Sequence, residues 1–335
     1  MMEPQPGKSS FGQRRELLKF GNVYVFLALI NLQLRLSLAP FWFDGRLIAN
    51  HQRLLAFQYA NNEQSRLLQF YIPEALHRLG LSDVHAYILQ RWLFILLAFI
   101  CFHFYLRKWF STKLAFAGVI FLAAIMPLAY FNELQESTPL LLVTFLVGLW
   151  AIREHRNGWY VAVMALGPAN NETVLILPAV FFLYNFKRFE LGHVLRLSLT
   201  TLAGALPAYL VVVTIRYINW NRPRLAPAWQ GSENIHGIWE QLGTSPLDYW
   251  NAKYFYLLFI FGAFWVYAFL NYSKKPLFLR RTALIIPLFI LVHMATSIIS
   301  EVRLMLPLSF VIIPLAFFYL FPETMEGEKR SIEGT

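Results

Sequence analysis

A succession of long apolar runs, separated by short polar ones, constrains this chain more than any other feature. The runs fall at 22–41, 87–106, 114–131, 138–152, 159–168, 173–186, 195–216, 254–272, 282–300 and 304–321. About 20 apolar residues in helix cross the hydrocarbon of a bilayer, and shorter runs fit helices that are broken or tilted. Hydrophobic residues make up 57% of the sequence and charged residues 14%, a balance that rules out a soluble globular fold. The predicted fold is all-α: a polytopic membrane protein with about ten transmembrane helices in one integral membrane domain, 1–335.

Basic residues set the expected orientation. Lys8, Arg14, Arg15 and Lys19 precede the first run, and Arg107, Lys108 and Lys113 follow the second. Arg153 with Arg156, then Lys187, Arg188 and Arg196, then Lys274, Lys275, Arg280 and Arg281 fall on the same side of the count. The positive-inside rule makes that side cytoplasmic, with both tails (1–20 and 322–335) inside. The net charge of +10 therefore marks membrane orientation, and no basic–aromatic nucleic-acid motif accompanies it. The N-terminal run has no small-residue cleavage site suited to a signal peptide and is expected to be a retained first helix. CxxC, HExxH, Walker A and GxGxxG patterns are absent, so zinc, nucleotide and dinucleotide chemistry has no support. The lone Cys101 excludes an internal disulfide.

Polar residues that are not merely basic collect on the opposite, outer face. The first outer loop, 43–86, contains Arg66–Leu79, an amphipathic stretch expected to lie flat on the membrane with Leu67, Phe70 and Leu76 dipped in and Pro73 interrupting it. The fourth outer loop, 217–253, carries Trp220, Trp229, Trp239 and Trp250, which suit interface anchoring for the most part, with sugar-stacking platforms as the alternative. Between the fifth and sixth runs lies Gly167-Pro168-Ala169-Asn170-Asn171-Glu172-Thr173. Gly167 and Pro168 break the preceding helix, and Asn170, Asn171 and Thr173 are suited to satisfying the freed backbone groups. A carboxylate among amides between apolar helices belongs beside protein, water or substrate. The plainer reading is a capped turn, with Asn170 or Asn171 starting the next helix and Glu172 in its first turn.

Other chemistry-bearing residues are few. Asp44 follows the first run in Phe41-Trp42-Phe43-Asp44-Gly45-Arg46, where aromatic neighbours would raise a carboxyl's pKa; the alternative is a solvated pair with Arg46. Glu301 and Arg303 sit between the last two runs, and a guanidinium there suits bidentate grip of a phosphate; the alternative is an ion pair holding the last two helices, with Glu172 as a further partner. Spaced by two, they would not face each other on a regular helix, so the segment is expected to be a turn or the two to serve different partners. Arg216 ends its run on the same face, and Arg91 is a further cation. Glu133 and Glu136 lie three apart and match a divalent-cation site only loosely, so a solvated loop is the expected reading and no cofactor is implied. His293 is expected to be a hydrogen-bonded packing residue.

Several of these elements resemble the GT-C fold of membrane glycosyltransferases. They are a first helix ending in an acidic residue, a long amphipathic outer loop, and an Asn-Glu-Thr turn before a proline-containing apolar helix. A late Glu-x-Arg precedes Leu-Pro-Leu, here Glu301-Val302-Arg303-Leu304-Met305-Leu306-Pro307-Leu308. The similarity runs over most of Phe20–Phe321 and is carried by short motifs. It implies transfer of a sugar from a polyprenyl-phosphate donor at the extracytoplasmic face of a membrane. Asp44 takes the place of the base or acceptor-binding acid, and Glu172 and Arg303 line the donor cavity. Asn171, Glu301 and Arg216 join them as expected donor-binding residues, and the acceptor is left open. Two other classes stay in view: a transporter or lipid flippase, which would favour internal repeats and charge at the midplane, and a non-catalytic membrane assembly protein.

Overall fold

The computed structural model describes residues 10–38, 45–58, 62–130, 136–218, 231–242, 259–297 and 301–322. No strand occurs among them. Six helical stretches are long and apolar enough to cross a membrane: Leu18–Leu38, Asp83–Leu106, Thr112–Ala129, Leu191–Ile218, Leu277–Thr296 and Val302–Leu320. The chain is thus an all-α membrane protein. The expected runs 138–152 and 173–186 correspond to shorter apolar helices, Ser137–Arg153 and Glu172–Asn185. Run 159–168 is a ten-residue helix, and 254–272 lies only partly within the described residues.

Helices are numbered in order. Helix α1 is Ser10–Leu38, α2 Arg46–Leu55, α3 Leu67–Arg78, α4 Asp83–Leu106 and α5 Thr112–Ile125; α6 is Ser137–Arg153 and α7 Asn157–Leu166. Then follow α8 Leu177–Asn185, α9 Leu191–Ile218, α10 Gly231–Leu242, α11 Phe264–Tyr267, α12 Leu277–Ala283, α13 Ile285–Thr296 and α14 Ser309–Leu320. Local signals place several ends. Ser82 caps α4 by accepting from the His85 amide at 3.4 Å, with Asp83 favourable in the first turn. Ser111 caps α5 in the same way through the Leu114 amide. Asn234 of α10 donates to the carbonyls of Met294 and Ser297, both at 2.8 Å, closing the end of α13.

The stretch Val302–Leu320 is the centre of the bundle, with 94% of its apolar window buried. Phe102 of α4 packs on Phe310 at 5.1 Å between ring centroids, and Phe110 packs on Phe318 at 4.7 Å. Lipid tails are as apolar as these rings, so close packing rather than escape from water favours the contacts. Helix α9 is the opposite case. Only 11% of its window is buried, and Leu195, Leu199, Leu202, Leu206 and Leu210 are exposed, as a lipid-facing helix requires.

The first outer loop departs from expectation. Helix α3 runs through Pro73 without interruption, and its buried face is Gln69, Phe70 and Pro73. Phe70 is fully buried and α3 packs on α4, so this face covers protein rather than dipping into lipid. Helix α2 is also amphipathic, burying Leu47, His51 and Leu54 at helical spacing. His51 ties it down: one ring nitrogen lies 3.0 Å from the Tyr87 hydroxyl and the other 3.2 Å from the Glu74 carboxylate.

Candidate functional site

At the C-terminal end of α1 and the N-terminal end of α4, buried charges gather that the apolar runs conceal. Arg35 of α1 is 3% exposed, Arg91 of α4 6%, Arg303 5% and Glu136 3%. A charge in such surroundings persists only if paired and hydrogen-bonded. Glu136 supplies much of the pairing. Its carboxylate is bonded to Arg91, and Oε1 lies 3.7 Å from the Arg35 guanidinium. The solvated-loop expectation for Glu136 is therefore wrong: two arginines from separate helices draw it inward. Glu133 lies outside the described residues.

Tyr130 shapes the same corner. Arg35 donates to its carbonyl at 3.1 Å, the Arg91 guanidinium stacks 5.1 Å from its ring, and its hydroxyl donates to Asn31 at 2.7 Å. Arg35, Arg91 and Arg303 all line one cleft, together with Tyr130 and Thr138. It encloses about 310 Å³, open mouth included, yet its centre is only about one water molecule wide. Arg91 Nε and Arg303 Nε are buried there without a hydrogen-bond partner among the described residues. A buried guanidinium N–H left unbonded is costly, so both donors are suited to an incoming acceptor.

Arg303 is the second residue of the short 3₁₀ turn Val302–Leu308 and is bonded to Glu301, the residue just before that turn. The two meet because the backbone there is a 3₁₀ turn and not a regular helix, the first of the two expected readings. Beside them sits Glu63, 3% exposed, in the turn Asn62–Ser65. Burial pushes its carboxyl up to about 7, outweighing attraction from Arg66 and Arg303. Burial and the neighbouring Arg303 bring Arg66 down to about 10. Glu63 and Arg66 carried no signal in the sequence beyond their place in a long outer loop. Arg35 did, since an arginine inside an apolar run is a functional candidate by default.

The Asn-Asn-Glu-Thr turn supports this cluster from behind. Helix α7 ends at Leu166, and a 3₁₀ turn covers Gly167–Ala169, as glycine and proline dictate. Asn171 accepts from the Thr173 amide at 3.0 Å, so the capped-turn reading holds. Asn170 donates to the Ser137 carbonyl at 2.9 Å and Asn171 to the Ser137 hydroxyl at 3.4 Å. Both amides thus grip the residue next to Glu136. Glu172 instead faces outward, 3.1 Å from Arg216, and both side chains are largely exposed. The structure pairs Arg216 with Glu172 and not with Arg303. His293 packs as expected: it stacks on Phe289 at 4.4 Å and lies 3.1 Å from that residue's carbonyl. Asp44 lies outside the described residues, as do Trp220, Trp229 and Trp250; Trp239 is exposed.

Among the described residues, no three His, Cys, Asp or Glu side chains come together as metal ligands. No protein-family model matches the chain, and no curated protein or solved structure is significantly similar to it. Fold and site together define an all-α membrane protein with a buried arginine–carboxylate cleft at one end of its helices.

Proposed function

We propose that this protein is a membrane glycosyltransferase of GT-C type, with about ten membrane segments and both tails cytoplasmic, that transfers a sugar from a polyprenyl-phosphate donor at the extracytoplasmic face. One observation carries the reading: Arg91 and Arg303, buried between apolar helices, line one cleft, and each has a buried Nε–H without a partner among the described residues. Guanidiniums there suit an oxyanion borne by a lipid, and they oppose charge that grows on a leaving phosphate.

In the reaction the acceptor oxygen attacks the sugar's anomeric carbon. The bond from that carbon to the phosphate oxygen breaks, and its electron pair leaves with the lipid phosphate, held by Arg303. The acceptor's proton passes to a carboxylate: Asp44 by the resemblance, or Glu63, whose pKa of about 7 suits proton transfer near neutral pH.

The test uses purified protein in lipid with radiolabelled polyprenyl-phosphate sugars. Wild type is compared with Asp44→Asn, Glu63→Gln and Arg303→Ala for donor binding and sugar release. Donor binding that Arg303→Ala weakens, with turnover lost in one carboxylate variant while binding survives, supports the reading. Folded protein that binds no donor would leave a transporter or an assembly protein as the better account.

A further inference from the structure

The cleft holds its three arginines in two different ways. Arg303 is paired with Glu301, two residues away on the same turn. Arg35 and Arg91 come from separate helices and share the carboxylate of Glu136, which comes from a third element. A buried ion pair of this kind adds little net stability, because desolvation offsets most of the attraction. Glu136 also has somewhere else to go. It immediately precedes α6, and its side chain makes no capping bond to that helix. The N-terminus of α6, 17 residues long, would stabilise a carboxylate turned back toward it. As the side chains stand, the cleft's centre, about one water molecule wide, is too narrow for a phosphate group.

Building on the glycosyltransferase reading, we infer that Arg35 and Arg91 form a second oxyanion subsite whose internal occupant is the Glu136 carboxylate, so that the cleft takes a diphosphate-linked donor. One phosphate sits on Arg303. The other displaces Glu136 from Arg35 and Arg91, and Glu136 turns to the N-terminus of α6. The grip of Asn170 and Asn171 on Ser137 keeps the backbone in place while the side chain moves. Arg91 Nε, buried and unpartnered in the present arrangement, gains an acceptor in the exchange.

Calorimetry on the full-length protein in nanodiscs tests this, with pyrophosphate and inorganic phosphate compared at equal ionic strength. Wild type is expected to bind pyrophosphate at least about tenfold more tightly, the worth of one charge-assisted bond. Arg91→Gln abolishes that preference, weakening pyrophosphate more than phosphate. Glu136→Gln removes the competing charge and tightens pyrophosphate alone. Farnesyl diphosphate separates the sources: binding tighter than that of pyrophosphate assigns the diphosphate to a lipid, and equal binding assigns it to a free ion. Phosphate bound as tightly as pyrophosphate in wild type, a comparison needing no variant, overturns the second subsite and leaves the glycosyltransferase reading standing. Weaker pyrophosphate binding in folded Glu136→Gln also overturns it, since Glu136 would then be positioning the arginines. Neither ion binding to folded wild type removes both.

Discussion

The hydroxyl of Tyr24 lies 2.6 Å from Nδ1 of His103, and the other ring nitrogen lies 3.0 Å from the Glu16 carboxylate. A carboxylate only accepts, so Nε2 carries the ring proton and Nδ1 accepts from Tyr24. The same Glu16 oxygen takes bonds from Arg107 at 2.7 Å and Thr112 at 2.8 Å. One carboxylate thus ties α1 to the end of α4 and the start of α5. Glu16 and Arg35 stand about 28 Å apart along α1 at 1.5 Å per residue, close to the hydrocarbon thickness of a bilayer. Charge is gathered at both ends of the helix, and none lies between Lys19 and Arg35.

The Glu16 clasp makes stability fall in acid. Burial alone would raise this carboxyl, but bonds from His103, Thr112 and Arg107 hold it below the ordinary carboxylate range. A folded-state value lower than the unfolded one gives stability that is full above the unfolded value and is lost as pH falls through the folded one. Thermal midpoints measured from pH 7 down to pH 3 should drop for wild type and change less for Glu16→Gln. Equal slopes would mean that the clasp does not couple protonation to folding.

Glu63 is expected to behave in the opposite sense. Its carboxyl sits at about 7 in the folded protein against 4.5 ordinarily, so the folded state holds the proton more tightly than the unfolded chain. Stability from this group is full below about 4.5 and falls as pH rises toward 7, by about 3 kcal/mol at most. Glu63→Gln should be more stable than wild type at pH 8 and lose that advantage at pH 4. Chemical unfolding at the two pH values decides it; a variant less stable at both would show that Glu63 acts through its hydrogen bonds instead.

The Arg91–Glu136 pair separates the cost of breaking a buried charge pair from the value of keeping it. Removing either partner alone leaves a buried charge with less compensation, and each single variant should lose about 3 kcal/mol or more. Arg91→Met with Glu136→Leu replaces both by apolar groups, and the double variant should recover part of that loss, the rest staying with Arg35, which also loses Glu136. Additive losses in a double-mutant cycle would mean that the two residues act through separate partners.

How much of this could be read beforehand differs between apolar and charged residues. Hydrophobic run length marks membrane helices directly, so Leu18–Leu38, Asp83–Leu106 and Val302–Leu320 fall close to their expected places. The break at Gly167-Pro168 and the cap at Asn171 were also legible, because backbone chemistry is local. Glu136 was not. Spacing from Glu133 places two acids on one helical face, but burial of one depends on Arg35 and Arg91, which are 101 and 45 residues away in sequence. The outward turn of Glu172 was hidden for the same reason, since its partner is Arg216, 44 residues on. Sequence pattern reports a helix's own faces; which charges meet across helices is set by packing.

Gly167 shows how tightly that packing constrains the turn. Its conformation is ordinary, but a Cβ added there would lie 2.9 Å, 3.0 Å and 3.2 Å from Cγ1, Cγ2 and Cβ of Val174. Val174 is fully buried and β-branched, so it has little freedom to rotate away. Gly167→Ala should therefore destabilise the protein by about 1–3 kcal/mol. The strain passes through Asn170 and Asn171 to Ser137 and hence to Glu136. Adding Val174→Ala removes the two nearer carbons, Cγ1 and Cγ2, and should restore much of the anion binding that Gly167→Ala loses. The double variant still carries a cavity cost at Val174. Calorimetry with pyrophosphate on both variants, beside thermal midpoints, checks the coupling. Weakened binding that Val174→Ala does not relieve would mean that the turn reaches the cleft by another route.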